Sequence, residues 1–150
     1  MNLGNIFQNH VLLTGLIGWI VAQALKLPID LLQNRHWNWA LFFAAGGMPS
    51  SHSALVTSTA AAVGLHYGFD NPIFAVAVTV AMVVVYDATG IRRQAGMQAQ
   101  KINVLVEELL QGHPISQEHL REVLGHTPLE ALGGVFLGLV VAVGLWFLWG

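Results

Sequence analysis

The sequence predicts an all-α polytopic membrane bundle of about four transmembrane helices, with a re-entrant segment and a cytoplasmic amphipathic helical hairpin. Three observations predict it. The 150 residues are 55% hydrophobic and only 9% charged, with mean hydropathy +0.60, whereas a soluble domain carries about 25% charged residues. Long apolar runs recur between proline, glycine and polar breaks. The six basic residues fall in two stretches only, Lys26–Arg35 and Arg92–Arg121. The length suits one domain over residues 1–150, with 88–125 as a cytoplasmic helical insertion.

Several function classes drop out at once. A formal net charge of −2 leaves no basic footprint for nucleic acid. Without cysteine there is no disulfide, thiolate nucleophile or cysteine metal site. The first residues lack a basic n-region and a cleavage site, so no removable signal peptide is expected.

In chain order, a short polar lead reaches His10. Val11–Leu27 is apolar apart from Thr14, Gln23 and Lys26, and is just long enough to span. Pro28-Ile29-Asp30 is expected to end that helix. Arg35, Trp37 and Trp39 read as an interfacial segment, and Trp39–Ala45 as a re-entrant arm too short to cross. Gly46-Gly47-Met48-Pro49-Ser50-Ser51-His52-Ser53-Ala54 follows. Its glycines allow close backbone approach, Pro49 halts an incoming helix, and its serines suit an N-cap. The small-residue helix that starts there runs to about His66 and should pack closely on its neighbours.

After the turn Tyr67–Pro72, Ile73–Tyr86 is a third span, ending at Asp87. Ala88–Gly125 changes character. Ile102, Leu105, Leu109 and Leu110 recur at helical spacing, so an amphipathic helix is expected to end near Gly112, with a second short helix from Ser116. Thr127-Pro128-Leu129-Glu130 is a capping box with proline at N1, opening the last span, Leu132–Trp149. Gly134 and Gly138 form a small-residue packing face, offered here as the contact of a homodimer.

Positive-inside logic puts both basic stretches in the cytoplasm, of a plasma (inner) membrane, with both termini outside. The serine-rich helix start then shares one membrane face with Asp87, Arg92, Arg93, His126 and Glu130. A helix N-terminus dressed with hydroxyls and an imidazole attracts anions, phosphate above all. Phosphoryl transfer needs cations, donors for the equatorial oxygens, a nucleophile and an acid for the leaving oxygen. Lys26, Arg92, Arg93 and Arg121 can supply the cations; Ser50, Ser51 and the helix start the donors; His52 and His126 the imidazoles. Glu130 can orient His126. Each residue also has a plainer reading: serines start helices, Glu130 completes a capping box, and Arg92 and Arg93 carry the topology signal, one of them pairing Asp87.

GGMPSSHSA, YDATGIRRQAG and LGHTPLEALGG together resemble the divergent, small branch of the PAP2 superfamily, related to acid phosphatases and vanadium-dependent haloperoxidases. The resemblance runs over nearly the whole chain, including AQALK in the first helix. PAP2 phosphatases carry K-x6-R-P, P-S-G-H and S-R-x5-H-x3-D. The resemblance implies that Pro49-Ser50-Ser51-His52 stands for P-S-G-H, with His52 as the acid for the leaving group. It makes His126 the phosphohistidine-forming nucleophile, Glu130 its orienting carboxylate, and Lys26 the lysine of the first motif. Departures are plain. Ser51 replaces glycine, and Glu130 replaces aspartate. Four residues rather than five separate Arg121 from His126, and no serine precedes that arginine. Arg35 lies too far from Lys26 and no proline follows it. Arg92 and Arg93 are expected to supply the missing phosphate contacts.

The resemblance implies a metal-independent, cofactor-free membrane phosphatase acting on a lipid-linked phosphate or pyrophosphate, polyprenyl or glycerolipid. Two other classes stay open. One is a non-enzymatic membrane protein of PAP2-like fold binding an anionic lipid or partner. The other is a metal-dependent lipid phosphotransferase with Asp87 and Glu130 as ligands, although such enzymes need several aspartates at fixed spacing.

Overall fold

Asn9 starts the first long helix, its side-chain oxygen accepting the Leu12 N–H at 3.0 Å. The computed structural model describes residues 3–35, 39–42, 46–110 and 125–149. Helix α1 is His10–Asn34, preceded by a 3-10 turn, Leu3–Gln8. Pro28, expected to end this helix, lies inside it, and α1 continues to a left-handed cap at Arg35. The physical reason is local. Proline forfeits one backbone bond, but its ring sits on the exposed side of α1, and intramembrane helices tolerate such a loss.

Trp39–Phe42 forms one 3-10 turn packed on α1, where Gln23 Nε2 donates to the Phe42 carbonyl at 2.8 Å. The rest of the expected re-entrant arm lies outside the described residues. Ser50 caps α2, Ser51–Tyr67, which stops at Gly68. Asn71 caps α3, Pro72–Thr89, its side chain accepting the Ile73 N–H at 2.9 Å. Gly90 breaks the run before α4, Ile91–Leu110, although Gly90 N–H still donates to Tyr86 and Gln94 N–H to Gly90. This is the amphipathic helix expected to end near Gly112; the short helix expected from Ser116 lies outside the described residues. Helix α5 is Pro128–Trp149.

These helices form an all-α membrane bundle. Among the described residues, three stretches are long and apolar enough to cross a membrane: His10–Leu32, Pro72–Glu107 and Pro128–Trp149. The sequence predicted about four spans. Helix α2, with 17 residues rich in alanine, serine and threonine, is shorter and more polar than the other three. It is also the axis of the bundle, packing against α1, α3 and α5. Its Ser51, Ser53, Ala54, Ser58, Ala60 and Ala62 are buried, while Val76, Val83, Phe136 and Phe147 on α3 and α5 are exposed. The bundle therefore places small and hydroxylated side chains inside and large apolar ones toward lipid. That arrangement suits helices held by close packing rather than by a hydrophobic drive between them.

Close approach explains the small residues. A Cβ on Gly18 of α1 would lie 2.5 Å from Ser58 Oγ. A Cβ on Gly134 of α5 would run into the Ser50 carbonyl, and one on Gly138 would lie 2.7 Å from the Ala54 carbonyl. The glycine face offered above for a homodimer is thus filled by α2 of the same chain. The spacing marked a packing face, but sequence alone gives no partner for it.

Candidate functional site

The site begins at the Gly46–Ser50 loop. Gly47 has φ +88°, a backbone conformation in which a side chain is strained. The aliphatic stem of Lys26 passes beneath it, its Cδ 3.9 Å from where a Cβ on Gly47 would sit. The Met48–Pro49 peptide is cis. Ser50 is fully buried and its hydroxyl accepts the Ser53 N–H at 3.3 Å and the Ser53 hydroxyl at 3.1 Å. That closes one of the orphan donors at the α2 start. Ser51, the first residue of α2, is buried as well, and His52 beside it is half-buried.

The second half of the site comes from the approach to α5. Glu130 and Thr127 make the expected capping box: Thr127 N–H donates to Glu130 Oε2 at 3.0 Å, and Glu130 N–H to Thr127 Oγ1 at 3.3 Å. The same carboxylate oxygen lies 3.1 Å from His126 Nδ1. A carboxylate only accepts, so Nδ1 carries the proton of that bond. His126 is 4% exposed, and its Nε2 has no hydrogen-bond partner among the described residues. The His126 backbone N–H donates to the Ala88 carbonyl at the end of α3, at 3.0 Å.

Two links join the halves. The Glu130 carbonyl accepts the Ser50 N–H at 3.0 Å. The charge of Glu130 also acts on the Lys26 ammonium, which is 2% exposed. Gly133, one turn into α5, leaves room for Met48. Lys26 from α1, Ser50 and Ser51 at the head of α2, and His126 and Glu130 before and within α5 are therefore one cluster. It holds a buried lysine, a buried imidazole nitrogen and a helix N-terminus, groups that can together hold an anion.

Arg92 and Arg93 lie on the first turn of α4, three to four residues from Thr89, but their side chains, and so any pairing with Asp87, lie outside the described residues. Arg121 lies outside them entirely. Among the described residues, no group of three or more histidine, aspartate or glutamate side chains could hold a metal ion.

Gln23 escaped sequence reasoning as a site candidate. It is 5% exposed, sits three residues before Lys26 on the same side of α1, and its Oε1 lacks a partner among the described residues. The signal was an amide inside an apolar run, at i,i+3 from a buried lysine. The Ala88 carbonyl was likewise out of reach, because no pattern announces a backbone acceptor.

A family model described as the divergent PAP2 family matches residues 7–141. The chain is 38% identical, over 151 residues, to the uncharacterized membrane protein YuiD of Bacillus subtilis (strain 168); the match covers 93% of this chain and 96% of that relative. No solved structure matches.

Proposed function

Because the chain belongs to the divergent PAP2 family, we propose that it hydrolyses a phosphate or pyrophosphate ester carried on a lipid, through a phosphohistidine on His126. One observation carries the reading: His126 Nε2 is buried and unpartnered while Nδ1 is held by Glu130 at 3.1 Å. A buried polar atom left without a partner is costly, and a reactive group that must meet a ligand there gives it a purpose.

In the proposed reaction, Nε2 attacks phosphorus as the bond from phosphorus to the lipid oxygen breaks. His52 gives its proton to that departing oxygen. Water then attacks the phosphohistidine, the P–N bond breaks, phosphate leaves, and the water proton returns to His52. Glu130 fixes the His126 tautomer and stabilises the positive charge that develops on the ring. Lys26, Ser50, Ser51 and the first turn of α2 hold the phosphate oxygens. Arg92, Arg93 and Arg121 are assigned to the same oxygens by chemistry. The two basic stretches favour a cytoplasmic site in the plasma membrane.

The test is phosphate release by the purified protein in detergent, from prenyl and glycerolipid phosphates and pyrophosphates, with EDTA present. Release that persists in EDTA and disappears in His126→Ala supports the mechanism. No release from any of them favours a lipid-binding role for the same cluster. Release only with added Mg²⁺ favours the metal-dependent class.

A further inference from the structure

Helices α3 and α5 both pack on α2 and meet each other only sparsely. The gap between them is a cleft of about 530 Å³. Ala60 and Ala61 of α2 form its floor, Val78 and Val85 of α3 one wall, and Val135 and Leu139 of α5 the other. The small floor residues give the cleft its depth.

Its two ends differ. Phe69 and Phe74 close one end, their rings edge to face at 88° with centroids 5.2 Å apart. They press on Gly64, where a Cβ would lie 2.5 Å from the Phe69 ring. Thr89 bounds the other end, and its neighbour Ala88 is the residue whose carbonyl holds the His126 N–H at 3.0 Å. The Thr89 end of the cleft thus lies one residue from the backbone contact that holds His126, and the two phenylalanine rings line the other end. From Phe74 to Thr89, α3 rises about 22 Å, against a hydrocarbon core of about 30 Å.

We propose that this cleft seats the hydrocarbon chain of the phosphorylated lipid handled at His126, and that Phe69 and Phe74 limit the chain length it accepts. The proposal rests on the reading of the His126 cluster as a lipid-phosphate site. A volume of about 530 Å³ along about 22 Å suits a single extended hydrocarbon chain. The lining is apolar apart from Thr57, Tyr86 and Thr89, and Thr89 Oγ1 already bonds the Val85 carbonyl at 3.0 Å. Nothing in the wall asks for a polar ligand, and the phosphate end is where polar groups begin.

The chain has no cysteine, so Val78→Cys gives the full-length protein a unique reporter in the cleft. Its reaction with a maleimide is followed in detergent with hexadecyl phosphate, butyl phosphate or hexadecanol as probe. Hexadecyl phosphate is expected to slow labelling about tenfold, the others little, since occupancy of a preformed site protects in proportion to ligand over Kd. Adding Ala61→Trp should remove the protection by filling the floor, and adding Phe74→Ala should extend it to longer alkyl phosphates. Equal protection by hexadecanol would mean that the cleft takes any bilayer chain, and overturns the proposal. So does the absence of protection by hexadecyl phosphate. Protection without phosphate release in the turnover assay sinks the hydrolytic reading and leaves the chain seat standing.

Discussion

Glu130 holds His126 Nδ1 at 3.1 Å with its side chain while its own carbonyl accepts the Ser50 N–H at 3.0 Å. One residue at the start of α5 therefore orients the imidazole and docks the head of α2 against it. The capping-box and catalytic readings of Glu130 do not compete: Oε2 meets both Thr127 N–H and His126.

Glu130→Gln should separate the two roles. Glutamine keeps an acceptor for the Thr127 N–H but loses the charge that stabilises the imidazolium. Turnover should fall at least about a hundredfold, with a thermal midpoint in detergent close to that of the parent. Glu130→Ala should lose activity and also about 1 kcal/mol of stability with the cap. Equal turnover in Glu130→Gln and the parent would reduce Glu130 to a helix cap.

His126→Ala should lower phosphate release by about three orders of magnitude, as loss of a nucleophile does elsewhere. The parent, quenched during turnover of a labelled substrate, should carry acid-labile label that the variant lacks. A variant that keeps the label moves the nucleophile elsewhere.

Lys26→Met should weaken inorganic phosphate binding about ten- to a hundredfold, because hydrogen bonds to a charged group are worth about 1.5–3 kcal/mol. Isothermal titration in detergent measures it. An unchanged Kd would make Lys26 a partner of Glu130 alone.

Gly134→Ala and Gly144→Ala form a matched pair on α5. The first drives a Cβ into the Ser50 carbonyl and should cost about 1–3 kcal/mol. The second meets nothing within 4 Å and should gain about 0.5–1 kcal/mol from helix propensity. Thermal unfolding in detergent reads both, and an equal response from the two would contradict the packing described.

Single cysteines report topology. Gln98→Cys on α4 should label from the cytoplasmic side, and Asp70→Cys in the α2–α3 turn only from the outside. Both positions are exposed. The reverse pattern would place the His126 cluster on the outer face.

Local rules made much of this protein legible from its sequence. Serine and threonine caps marked where α2 and α5 begin, because side-chain oxygens satisfy the orphan N–H groups of a first turn without tertiary help. Apolar length marked Val11–Leu27, Ile73–Tyr86 and Leu132–Trp149 as spans, and each lies within a stretch long and apolar enough to cross a membrane. The capping box put Glu130 within reach of His126 through four residues of local geometry. Pro28 went the other way: a local rule predicted a break, but its ring sits on the exposed side of α1 and a membrane helix tolerates the one lost bond. Only the tertiary structure decided that Gly134 and Gly138 are filled by α2 of the same chain, and that Lys26, Ser50 and Glu130 share one cluster. It alone joined His126 to the Ala88 carbonyl and opened a cleft between α3 and α5. These are contacts between residues dozens of positions apart, often through backbone atoms. Side-chain identity encodes a backbone carbonyl nowhere, so its partner emerges only when the helices pack.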